Sequence, residues 1–196
     1  MAAWWDQDLL VVRAAAYELK EYLLGLTLYW PLYGAKAHDG LPSRIQRLTP
    51  GTLMYSQRRL LAAPLPAAEQ AQADAWNETV AATREAWKSH WIQKSTQEFA
   101  ARLRLWQAEL QELLSEPPRS PKTYAFAAQW RCLLDLLADE IPADTPNLTV
   151  LAGLDHRLRL AGQPGGFVWA AVLQPAFDPQ RFWYLYFQVH QAEKSS

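Results

Sequence analysis

From Ala67 to Glu116 the chain runs fifty residues without a proline or a glycine. Elsewhere it is well supplied with both, holding 13 prolines and 8 glycines in 196 residues. These are the two residues that stop helices. Proline lacks the N–H and clashes with the preceding turn, and glycine costs about 1 kcal/mol against alanine. A stretch spared both predicts one long helix, about 75 Å if unbroken at 1.5 Å per residue. The apolar positions agree. Val80, Thr83, Trp87, Trp91, Ser95, Phe99, Leu103, Trp106, Leu110 and Leu113 make nine steps over 33 residues, 3.67 per step. That period lies nearer an eleven-residue repeat than a heptad, so a nearly straight helix is expected rather than a left-handed coiled coil. The polar run from Gln93 to Gln97 is where any break is expected.

Outside this stretch, proline marks where helices begin. Thr49-Pro50, Ser120-Pro121, Thr145-Pro146 and Asp178-Pro179 each place a capping side chain before a proline, whose missing N–H has no partner in a first turn anyway. Helices are predicted from Pro50 to about Ala63, from Pro121 to Ile141, and from Pro146 to Ala161 with Gly162 as C-terminal cap. A first helix is expected from Asp6 to Tyr29, with Gly25 inside it and a narrow polar stripe at Asp6, Arg13 and Lys20/Glu21. A loop covers Gly34 to Leu48. After Gly165-Gly166, residues 167–174 read as extended. Residues 182–189 suit a strand by alternation of Trp183, Leu185, Phe187 and Val189. The Asp178-Pro179 cap, with Phe177 and Phe182 as a hydrophobic staple, suits a short helix instead, and that reading is adopted.

The expected fold class is therefore predominantly all-α. It is an irregular multi-helix bundle built along one long helix, a single domain over residues 1–196. A helical body, 1–161, carries an aromatic-rich C-terminal segment, 162–196, packed on it.

Composition narrows the function classes. Nineteen basic and twenty acidic side chains leave a net charge of −1, which argues against nucleic acid as partner. The one cysteine, Cys132, allows no internal disulfide, and the N-terminus lacks the basic region of a secretory signal. With no apolar run long enough to span a bilayer, a cytoplasmic location is expected. Thirteen arginines against six lysines, with three isoleucines, suggest a GC-rich bacterial genome. The sequence holds no GxSxG, GxxxxGK, GxGxxG, CxxC or HExxH, so no catalytic residue, metal site or cofactor is assigned.

Ten tryptophans are the feature such a fold does not require. Most suit a core where helices splay, yet Trp87 and Trp91, one turn apart with His90 beside them, form a candidate pocket or partner contact. Trp183, Tyr184 and Tyr186 form a second candidate, because six consecutive large apolar residues, Phe182 to Phe187, cannot all face one side. Arg44, Arg47, Arg58 and Arg59 form a basic patch that could hold phosphate or an acidic partner, or could be a solvated face. Arg84 and His90, with five residues between them, resemble the short catalytic motif of the HEPN family of helical RNA-cleaving domains. Glu85 stands where that motif carries an amide or other polar side chain. The resemblance implies an HEPN-like RNA-cleaving domain as a distant alternative. The leading expectation is a non-enzymatic interaction or scaffold protein that joins itself or a protein partner, since a helix so long needs cover. The alternative is a binder of an apolar or aromatic small molecule through a tryptophan-lined pocket.

Overall fold

The structure is a computed structural model and describes residues 3–32, 47–115 and 121–189. Among them are α1 (Asp6–Leu24), α2 (Pro50–Leu60), α3 (Ala67–Ala86), α4 (Lys88–Ser115), α5 (Pro121–Ala138) and α6 (Pro146–Leu160). Two short strands, β1 (Gly162–Pro164) and β2 (Phe187–Val189), pair antiparallel, and 3-10 helices cover Ala171–Ala176 and Trp183–Tyr186. The fold is predominantly helical, as the sequence implies. The chain divides into two compact units, Met1–Glu98 and Phe99–Ser196.

In the first unit, α1 buries Val11, Val12, Ala15, Leu19, Tyr22 and Leu23, a spacing of three and four that keeps one face inward. The helix ends at Leu24, five residues before the expected Tyr29. Gly25 is its C-cap at ψ 164°, not an interior residue. The reason is tertiary. Lys94 donates from Nζ to the carbonyls of Gly25 (2.8 Å) and Thr27 (2.6 Å), and the Tyr22 hydroxyl donates to the Leu28 carbonyl (3.1 Å). These bonds hold carbonyls that a continuing helix would turn away. Burial lowers the Lys94 pKa, and its cation rests 4.9 Å from the Tyr22 ring centroid.

α2 starts as its Thr49-Pro50 pair predicts, with Thr49 and Thr52 closing a reciprocal capping box. Glu98 completes the cap from 49 residues away. Its Oε1 accepts from the Thr49 hydroxyl (2.6 Å) and its Oε2 from the Gly51 N–H (2.7 Å). A carboxylate at a helix N-terminus is favoured by both the free N–H groups and the dipole. Gly51 admits it, because a Cβ there would lie 2.9 Å from Glu98 Oε1. Asp8 of α1 is also buried and accepts from Arg59 Nε of α2 at 2.9 Å. Burial raises its pKa against the opposing pull of the guanidinium.

The fifty-residue stretch is helical to Ser115 except at Trp87, which stands at φ −120°, ψ 34° between α3 and α4. The interruption is at Trp87 and not in Gln93–Gln97. It is a kink and no reversal. Trp87 N–H still donates to the Thr83 carbonyl, and Trp91 N–H to the Trp87 carbonyl, both at 3.0 Å. The stripe itself survives the kink. Val80, Trp91, Ser95, Phe99, Leu103, Trp106, Leu110 and Leu113 are buried, and Thr83 and Trp87 half-buried.

In the second unit, Tyr124, Ala127, Ala128, Cys132, Leu134 and Leu137 of α5 are buried. The C-terminal segment supplies Phe177, Phe182, Tyr184, Leu185, Phe187 and Val189, also buried. Phe177 and Phe182 do meet, edge to face at 5.1 Å, and Asp178 Oδ1 does accept from the N–H groups of Gln180 (2.7 Å) and Arg181 (3.2 Å). That cap nonetheless opens no α-helix. The expected short helix over 182–189 is replaced by four residues of 3-10 helix followed by β2. Pairing with β1 takes over, in the register Gly162↔Val189, Gln163↔Gln188 and Pro164↔Phe187. Gly162 thus serves the ribbon rather than the α6 cap, which is Ala161. A Cβ on Gly162 would overlap the Gln188 carbonyl oxygen and the Phe187 ring. Residues 167–174, expected to be extended, enter a 3-10 helix at Ala171. Thr145 makes no side-chain cap bond, and Ser120 and most of the predicted loop from Gly34 to Leu48 lie outside the described residues.

Candidate functional site

The last turn of α6, the β ribbon and the turn at Pro179–Gln180 border an open groove of about 640 Å³, all within the second unit. Its lining is Arg159, Gly162, Pro164, Pro179, Gln180, Trp183, Tyr186 and Phe187. Each is held for a local reason. Arg159 lies in the final turn of α6, where the helix dipole favours a cation. Its guanidinium sits 4.0 Å from the centroid of the Trp183 ring. Phe187 meets that indole edge to face at 5.4 Å and is itself fixed in register opposite Pro164. The Tyr186 hydroxyl donates to the Phe177 carbonyl at 2.7 Å, which turns its ring and sets its angle. The absence of a side chain on Gly162 lets the two strands close beside the groove.

A charged cluster anchors the 3-10 segment that presents Trp183. Arg131 of α5, 7% exposed, donates from Nε and Nη2 to the two carboxylate oxygens of Asp155, both at 2.7 Å. Its Nη1 lies 3.8 Å from Asp135, and its guanidinium rests 4.6 Å from the Tyr184 ring centroid. Burial works to lower the Arg131 pKa, but the bonds to Asp155 together with the nearby Tyr184, Asp155 and Asp135 groups outweigh it and hold the group above the ordinary arginine value. The Tyr184 hydroxyl donates to Asp135 (3.0 Å), and the Tyr184 carbonyl accepts from the Tyr124 hydroxyl (2.7 Å). Arg181 Nη2 donates to Asp139 (2.7 Å), and Arg181 Nε lies 3.4 Å from Asp135. Burial raises the Asp135 pKa, opposed by both guanidinium groups. These bonds fix the backbone on either side of Trp183. The groove is therefore pre-formed.

Of the residues singled out from sequence, Trp183 and Tyr186 line the groove. Tyr184 points the other way, fully buried against Arg131 and Asp135. Trp87, His90 and Trp91 belong to the first unit. Trp87 and His90 are half-buried and meet edge to face at 5.5 Å, with Lys20 Nζ 5.6 Å from the Trp87 centroid. Trp91 is 2% exposed, and the guanidinium of Arg84 covers its ring at 4.1 Å. The pair that resembles the HEPN motif is thus divided between two different rings. Of the basic patch, Arg47 is exposed, Arg58 is half-buried, Arg59 is paired with Asp8, and Arg44 lies outside the described residues.

Sequence reasoning missed Arg159, Phe187 and the two prolines of the groove. The basic last turn of α6 was the one signal for Arg159, and nothing local ties it to a tryptophan 24 residues on. Among the described residues no helix is long and apolar enough to cross a membrane. No family model, curated protein or solved structure matches the chain.

Proposed function

We propose that the protein binds a small, largely apolar molecule in the groove, with Trp183 as the principal contact. The observation that carries this reading is the pre-formed setting of Trp183, a half-buried indole walled by Phe187 and Arg159 beside an open volume. The groove falls within the roughly 300–1,000 Å³ range of small-molecule sites, with apolar walls and few polar groups. The long apolar stripe, by contrast, offers little surface for a partner, since its positions are buried or half-buried in the single chain. The lone, fully buried Cys132 suits a reducing cytoplasm.

The test is a titration with 2-naphthamide, a neutral flat probe, followed by the indole N–H resonances. Ten tryptophans would blur bulk fluorescence, whereas indole signals can be assigned singly. The Trp183 indole signal is expected to shift with saturation, and Trp183→Ala to weaken binding at least tenfold. If other indoles move and Trp183 does not, the groove is not the site.

Self-association is a second reading, favoured by one observation. Tyr17 and Leu24, seven residues apart on α1, are 76% and 47% exposed, and Leu26 just beyond is wholly exposed. A second copy covering them would bury about 1,000 Å² or more if specific. Light scattering of the full chain should then show a dimer that Leu26→Glu dissociates. A strict monomer across micromolar concentrations would count against it.

A further inference from the structure

We infer that the molecule bound in the groove is an aromatic carboxylate whose anionic group is read by Arg159. This rests on the groove being the binding site. A guanidinium has two faces and an edge. The guanidinium carbon of Arg159 lies over the Trp183 ring, 4.0 Å from its centroid. Contact with an aromatic ring favours one setting of a guanidinium, whose N–H donors fan out in its plane. Arg159 is exposed, and among the described residues no carboxylate accepts from it.

The contrast with its neighbours is sharp. Arg131 and Arg181 are both met by aspartates, Asp155 for the first and Asp135 and Asp139 for the second. Asp178, on the turn that borders the groove, spends Oδ1 on the N–H groups of Gln180 and Arg181. A guanidinium that no carboxylate of the described residues meets matches a planar carboxylate, which it can grip through two parallel N–H···O bonds. The other requirement comes from the walls. Pro164 and Phe187, opposite each other in the ribbon, present flat apolar surface suited to a ring.

Dependence on Arg159 should be strong for a further reason. The groove lies at the C-terminal end of α6, where the helix dipole disfavours an anion. Arg159 opposes that local field, and no other described residue of the lining carries positive charge.

The experiment compares 2-naphthoate with 2-naphthamide, of the same shape and differing in charge, on the full chain by calorimetry. Naphthoate is expected to bind at least tenfold more tightly. Arg159→Gln should abolish that preference, read as the ratio of the two affinities, and Arg159→Lys should keep only part of it. Arg159 is on the surface, and circular dichroism should confirm that each variant folds. Equal binding of the two probes, or a preference that survives Arg159→Gln, overturns the inference and leaves the groove reading standing. Failure of both probes to bind overturns both.

Discussion

A chain cut after Ala176 is expected to melt at a lower temperature than the full protein and to aggregate. The removed segment carries Phe177, Phe182, Tyr184, Leu185, Phe187 and Val189, none more than 6% exposed. At about 1.5–3 kcal/mol for each large apolar side chain taken out of water, their joint contribution is comparable to the whole stability of a typical domain. The loss would not be confined to the segment. The rings of Phe177, Phe182 and Tyr184 form an edge-to-face chain at 5.1 and 6.3 Å, and Tyr124 of α5 would lose the acceptor for its buried hydroxyl. Apolar surface left bare on α5 would then promote association. Thermal melts read with light scattering test this. A truncated protein as stable and soluble as the parent would mean that the segment is not part of the core.

The second large effect is expected at Arg131. Replacing it with methionine should cost about 3–5 kcal/mol in urea unfolding, because Asp155 would be left buried without its cation. Asp135 would keep Arg181, 3.4 Å away, so most of the damage should be traceable to Asp155. The double variant Arg131→Met with Asp155→Leu should recover much of the loss, since a buried ion pair contributes little over an apolar pair of similar volume. Arg131→Lys should fall between, keeping the charge but not the two-pronged contact. If the single methionine variant unfolds like the parent, the cluster does not anchor the segment that presents Trp183.

Both sites differ in how far the sequence could disclose them. The 3.67-residue period ran true, because burial along α3 and α4 follows side-chain direction, which a helix repeats regardless of what covers it. The Thr49-Pro50 start was readable for the same reason, being a matter of neighbouring atoms. The kink at Trp87, at ψ 34°, was not, since tryptophan is no helix breaker. Gly25 is ambiguous in the sequence. Glycine inside a helix and glycine as its cap look alike until Lys94 is found holding the carbonyls beyond it. Residues 182–189 satisfied both periodicities, and β1, some twenty residues earlier, decided between them. The groove was half visible. Aromatic density pointed to Trp183 and Tyr186, while Arg159 and the Arg131–Asp155 pair depend on contacts 24 residues apart along the chain.

A crystal structure of the full chain with 2-naphthoate tests the central claim most directly. The expected result is a naphthalene ring in the groove against Trp183 and Phe187, with its carboxylate paired to the edge of Arg159. A ring seated elsewhere, for instance beside Trp87 and His90 in the first unit, or a groove left empty at saturating ligand, would contradict the account.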